Sequence, residues 1–175
     1  MIPIRDMSVG EFGAYVATLL KQAGIDVTLT GGSCVSIYTH NKFTSNDLDF
    51  INNGIVAHRM IVKALTSNGF EVKDRYLKHP DGDFYVEFPS GPLMVGGEYI
   101  TKTDTIDFAT GTLKILTPTD CVKDRLSHFF FWKDHQGLDQ AVAVAKSNVI
   151  DIDKISLWAE NEGLTDEFER IRHLF

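Results

Sequence analysis

Cysteine is scarce in this chain: Cys34 and Cys121 are the only two. No metal-ligand spacing relates them, and each falls in an apolar helical context that suits a buried free thiol in a reducing cytosol. Long apolar runs are missing too. None approaches the roughly 20 residues needed to span a bilayer, so no membrane partner is expected. The opening Met1-Ile2-Pro3-Ile4-Arg5-Asp6 lacks a signal-peptide pattern. Positive charge is in deficit, with 17 Lys and Arg against 24 Asp and Glu and a net charge of −7. That argues against tight nonspecific binding of nucleic acid, which needs many cationic contacts to phosphate, but it permits a local basic groove. Internal repeats and low-complexity tracts are absent. The 175 residues, 43% hydrophobic and 23% charged, have the make-up of an ordinary globule. They suffice for one buried domain or a core with a helical appendage.

The periodicity orders the elements. Ser8-Val9-Gly10-Glu11 has capping-box spacing, and Phe12, Tyr15, Val16, Leu19 and Leu20 follow at helical intervals as far as Gly24. A strand over 25–30 stops at Gly31-Gly32. A short helix over 33–39, a polar stretch over 40–46 and a second strand over 47–51 come next. A helix over 56–67 precedes strands over 70–76 and 84–88, which read as a hairpin around the Asp81-Gly82 turn. Residues 101–116 read as two short strands turning at Thr110-Gly111-Thr112. Thr117 caps the next helix and Pro118 occupies its first turn. Four helices follow, over 119–132, 138–148, 152–161 and 166–174, with Asp151 and Thr165 as caps of the last two. Composition shifts at Pro118 from Thr- and Gly-rich to helix-forming. The expectation is an α+β fold: a mixed sheet flanked by helices in an α/β core over 1–116, and a helical part over 117–175 packed on it.

The stretch from Leu29 to Phe50 carries the chemistry. Two adjacent glycines, Gly31 and Gly32, permit positive φ and close backbone approach. With Ser33 they form a turn opening a helix, where free N–H groups and the positive end of the helix dipole favour an anion such as phosphate. Ser33 reads either as a phosphate contact or as a helix N-cap. Asp47 and Asp49 lie two apart on a strand and share a face, while Leu48 and Phe50 turn to the core. Paired carboxylates repel unless a cation sits between them, and Mg²⁺ favours carboxylate oxygens together with substrate phosphates. A phosphate cradle beside a metal-binding pair describes a nucleotide site.

Gly31-Gly32-Ser33, a short helix, then Ser45-Asn46-Asp47-Leu48-Asp49-Phe50 resembles the nucleotidyltransferase superfamily, with its DNA polymerase β-like fold. The form is most similar to the small stand-alone transferases, including the abortive-infection, type IV toxin–antitoxin kind. The resemblance implies that Asp47 and Asp49 bind Mg²⁺, two ions in all, and through it a nucleoside triphosphate. Glu87, on the polar face of the strand over 84–88, is the candidate third metal ligand and helps deprotonate the acceptor hydroxyl. The family more often has Asp there. Gly31, Gly32 and Ser33 hold the triphosphate. Lys123 takes the position of a site-facing lysine, against the alternative of a solvated helix face, and Arg125 is a further cation on the same helix. The implied acceptor is a tRNA, a protein or a small molecule, and an antitoxin is a possible partner. The alternative is a catalytically inactive binding or sensor module on the same fold. Helical spacing assigns Leu126, Phe129, Phe130 and Phe131 to the core rather than to a base-stacking platform. Lys133, His135 and Asp139 are given structural roles, and His58 and His79 are expected at the surface.

Overall fold

Strand alternation decides the architecture. The computed structural model describes residues 2–175. Its strands in chain order are β1 (Val27–Thr30), β2 (Asp47–Asn52), β3 (Glu71–Lys73), β4 (Tyr76–Lys78), β5 (Tyr85–Glu87), β6 (Met94–Val95), β7 (Glu98–Tyr99), β8 (Thr103–Phe108) and β9 (Gly111–Leu116). Seven of them form a mixed sheet in the order β3-β4-β5-β2-β1-β9-β8. The central β1 runs antiparallel to β2 and parallel to β9, and β2 runs parallel to β5. Leu29, Leu48, Phe50, Val86, Leu113 and Ile115 are wholly buried on one face. Helix α1 (Val9–Gln22) lies across them, so close that a Cβ at Gly13 would stand 3.3 Å from both Leu48 and Leu113. Its capping box is formed as the spacing predicts: Glu11 N–H donates to Ser8 Oγ, and Ser8 N–H to the Glu11 carboxylate. Alternation then sends Thr28, Thr30, Asp47, Asp49, Tyr85 and Glu87 to the opposite face.

The remaining helices are α2 (Gly31–Tyr38), α3 (His58–Thr66), α4 (Pro118–Trp132), α5 (His135–Ser147), α6 (Ile152–Asn161) and α7 (Thr165–Ile171). The mixed sheet flanked by helices is the α+β class expected. Thr117 caps α4 through Asp120 N–H, with Pro118 in the first turn, and Asp151 caps α6 through Lys154 N–H. Thr165 is not the cap of α7: Leu164 holds that place and offers no side-chain acceptor. One cluster of buried side chains runs from Phe12 and Phe50 through Val122 to Trp158 and Phe168. Cys34 and Cys121 are both free and wholly buried within it.

Four other expectations change. The strand over 70–76 is two strands, β3 and β4, turning at Asp74-Arg75, with Asp74 in the left-handed region at φ 56°. The hairpin around Asp81-Gly82 therefore joins β4 to β5, and Gly82 N–H closes it on the His79 carbonyl. Past the prolines at 89 and 92, β6 and β7 form a separate hairpin across Gly96-Gly97. The Glu162 carboxylate accepts from Gly97 N–H at 2.6 Å, and Trp158 Nε1 donates to the Val95 carbonyl at 3.2 Å. The helical periodicity also overreaches at its margins. Phe130 is buried but Phe131 is half-exposed, because α4 turns it outward one residue past the packed stripe. His79 is mostly shielded, edge-on to Phe70, rather than lying at the surface.

Helices α4 and α5 approach through Gly137, where a Cβ would lie 2.7 Å from the Arg125 carbonyl oxygen. Backbone cannot yield as a side chain does, so Gly137→Ala is expected to cost about 1–3 kcal/mol in a urea titration. An unchanged midpoint would show that the two helices separate freely.

Candidate active site

The candidate site is built where β1 ends. Gly31 has φ +71°, and a Cβ there would lie 2.5 Å from Asp49 Oδ2. Glycine is thus required twice, for the backbone conformation and for the carboxylate lying against it. Helix α2 begins at Gly31, two residues earlier than the sequence pattern indicates, because both glycines form its first turn. Its N-cap is Thr30, whose hydroxyl donates instead to the Asp49 carbonyl, so no side chain caps the helix. The first-turn N–H groups therefore remain suited to an anion.

Ser33 is not the N-cap. Its buried hydroxyl donates to the Asp47 carbonyl and ties α2 to β2. Its N–H, not its hydroxyl, is what it offers an anion. The stretch over 40–46 is an ordered turn with His40 and Asn41 at positive φ. Ser45 returns over Gly32, and its hydroxyl also donates to the Asp47 carbonyl at 3.0 Å.

The parallel pairing of β2 with β5 sets Asp49 beside Glu87, and Asp47 beside Tyr85. Asp47 is exposed, whereas Asp49 and Glu87 are half-buried. Burial raises the Asp49 carboxyl from 3.8 to about 6, the charges of Glu87 and Asp47 push the same way, and Arg125 opposes them. Glu87 is turned toward a residue that the sequence reading missed. Arg75 Nε lies 3.3 Å from Glu87 Oε1, and its guanidinium also reaches the Tyr76 hydroxyl. Nothing in the local pattern marks an arginine in a two-residue turn. Only the β3–β4 hairpin brings it here.

Whether these residues suit a divalent ion has a two-sided answer. The donors are hard carboxylate oxygens, and their mutual repulsion is what a cation relieves. Among the described residues, however, no three His, Cys, Asp or Glu side chains converge as an ion-binding group. The register brings the three acids to neighbouring positions on one face, and the Arg75 pair draws Glu87 aside. The donor chemistry of Asp47, Asp49 and Glu87 suits a hard cation, while their present placement gathers no three of them around one point.

The cations of α4 are engaged. Lys123 is neither solvated nor free: it is 3% exposed, 2.9 Å from Glu98 on β7 and 3.2 Å from Asp120. Arg125 is buried and donates through Nε to Asp124 at 3.0 Å.

No protein-family model and no curated protein matches the sequence. Solved structures share its fold, two of them as follows. An antigenic nucleotidyltransferase-like protein from Paracoccidioides brasiliensis is 14% identical, with a TM-score of 0.65 over 99% of this chain and 94% of that one. The antibiotic-resistance factor ANT(2'')-Ia is 11% identical, with a TM-score of 0.53 over 92% of this chain and 95% of that one. The fold is nucleotidyltransferase-like.

The Asp49 shift has a sign that can be measured. Between pH 3.8 and about 6 the folded protein holds a proton that the unfolded chain releases. Stability contributed by the protonated group is therefore lost as pH rises through that window. Asp49→Asn is expected to flatten the slope and to raise stability at pH 7 by about 1–3 kcal/mol in urea titrations. A destabilised variant would contradict the crowding of charge. Arg75→Ala frees Glu87 from a weak pair with a solvent-exposed guanidinium. Tb³⁺, a luminescent hard cation, is expected to bind the variant about two- to fivefold more tightly, and weaker binding would show that Arg75 does not compete for Glu87.

Proposed function

We propose that this chain is a metal-dependent nucleotidyltransferase, moving a nucleoside monophosphate from a nucleoside triphosphate to an acceptor hydroxyl. One observation carries the reading: the Asp49 carboxylate lies against the Gly31 turn and beside Glu87, so an acid cluster and an anion-binding helix start share one corner. The N–H groups of Gly32 and Ser33 hold the polyphosphate. Asp47 and Asp49, joined by Glu87 once Arg75 lets go, would hold Mg²⁺, which when bound supplies charge neutralisation along the triphosphate and lowers the pKa of the acceptor hydroxyl. The acceptor oxygen forms a bond to the α-phosphorus, the bond from that phosphorus to the bridging oxygen breaks, and pyrophosphate leaves with the electron pair. Glu87 takes the hydroxyl proton. Tyr85, opposite Asp47 on the same face, borders the space where the substrates meet. Lys123, which the sequence left between a site-facing lysine and a solvated one, is committed to Asp120 and Glu98, and we assign it to holding α4 on the β6–β7 hairpin.

A second reading is favoured by the Arg75–Glu87 pair itself: a binding module whose third carboxylate stays neutralised by protein. Calorimetry with ATP separates the two. Wild-type protein is expected to bind ATP only with Mg²⁺ and to transfer label from it. The Asp47→Asn/Asp49→Asn variant is expected to lose both, with transfer falling at least a hundredfold. Metal-independent ATP binding that survives in the double variant would establish the binding module instead.

A further inference from the structure

A cavity of about 960 Å³ lies toward the far end of β1 and β2, not over the acid cluster. Its floor includes Thr28, which pairs across the strands with Ile51, two residues beyond Asp49 on the same sheet face. Two residues of strand span roughly 7 Å, so the cavity opens within reach of the proposed reacting centre. We infer that this cavity is the acceptor site, and that the acceptor is an uncharged, hydroxyl-bearing small molecule with an apolar portion. The inference rests on the transferase reading and names its substrate class.

Charge points to the class first. The cavity holds one opposite-sign pair, Lys114 Nζ at 2.6 and 2.7 Å from the two Asp26 carboxylate oxygens. Asn53 links that pair to Thr28, donating to Asp26 at 2.9 Å and to the Thr28 hydroxyl at 2.9 Å. The acid, although its side chain is 61% exposed, is paired with the lysine and hydrogen-bonded to Asn53, so its charge is balanced where it stands. The lysine is equally spent and offers no charge to the phosphates of a nucleic acid. Hydroxyls of Ser90, Thr101 and Thr103 line the same space and suit neutral hydroxyl partners.

Apolar surface is the second, independent mark. Ile55 is fully exposed and Tyr99 is 65% exposed, and both stand at this cavity. Phe88, Pro89, Pro92 and Leu93 form a further apolar wall. The volume falls in the range of small-molecule sites, with apolar walls and a few placed polar groups. A macromolecular acceptor, by contrast, is held by a broad contact of about 800 Å² per partner.

Phenyl β-D-glucoside, neutral, hydroxylated and partly apolar, is the probe. Titrated into the ¹⁵N-labelled full chain, it is expected to shift the amides of Gly54, Thr101 and Thr103. Ile55→Lys and Tyr99→Ala change exposed side chains and leave the core intact, and each is expected to weaken binding at least fivefold. Mg²⁺–ATP added afterwards is expected to shift Gly31 to Ser33 while the glucoside stays bound, because donor and acceptor must occupy the protein together. The inference is overturned if the glucoside shifts no cavity amide, or if both variants bind it as wild type does. It is equally overturned if adenosine, spermine or bulk tRNA displaces it from these residues. Glucoside binding without any Mg²⁺–ATP binding would uphold the cavity as a ligand site and overturn the transferase reading alone.

Discussion

The parallel contact between β2 and β5 is the constraint on which the site depends. It is short, three residues from each strand, yet it fixes which acids become neighbours. Leu48 and Val86 are wholly buried, and Leu77 of β4 continues the row almost fully buried. A slip of one residue would turn these three to solvent and drive the acids into the core, so burial locks the register. The functional face is in this sense a by-product of packing on the other face. The apolar side chains beneath α1 position Asp47, Asp49 and Glu87 without touching them.

That arrangement stores unfavourable charge. Asp49 sits in a partly desolvated corner with Glu87 and Asp47 beside it, and its proton affinity is raised by that burial first and by their charges second. A residue kept at such a position works against the stability of the free protein. Binding sites commonly show this conflict between local stability and function. The surrounding fold offsets the strain with backbone ties that leave the carboxylates alone. Ser33 and Ser45 both donate to the Asp47 carbonyl, and Thr30 donates to the Asp49 carbonyl.

Much of this was legible in the sequence because it follows from local rules. Alternation in Asp47-Leu48-Asp49-Phe50 gave the two faces, Gly31-Gly32 gave the turn, and Ser8 with Glu11 gave the first helix start. What escaped depended on partners distant in the chain. Ser33 looked like a cap because capping residues precede helices, but the positive φ of Gly31 let α2 begin earlier and freed the hydroxyl for β2. Lys123 looked solvated because its helical neighbours are polar. The hairpin that buries it, β6–β7, is two residues per strand and lacks a periodic signal. Arg75 gained its place only from a tight turn that splits one apparent strand into two.

The cations near the site rank by how readily each can leave its present partner. Lys123 is buried between two carboxylates, and removing a buried charge from its partners costs several kcal/mol. Arg125 is also buried and doubly bonded to Asp124, so it serves better as a fixed field on Asp49 than as a moving group. Arg75 has a side chain 69% exposed, and solvent screens its pair with Glu87 far more than it screens the buried pairs of α4. On the proposed transferase reading, a divalent ion drawing Glu87 to itself would exchange that weak pair for a stronger one. Of the charged contacts around Asp49, the one between Arg75 and Glu87 is therefore the contact that ligand binding alters at least cost. The same weak contact keeps the Glu87 carboxylate from standing unpaired.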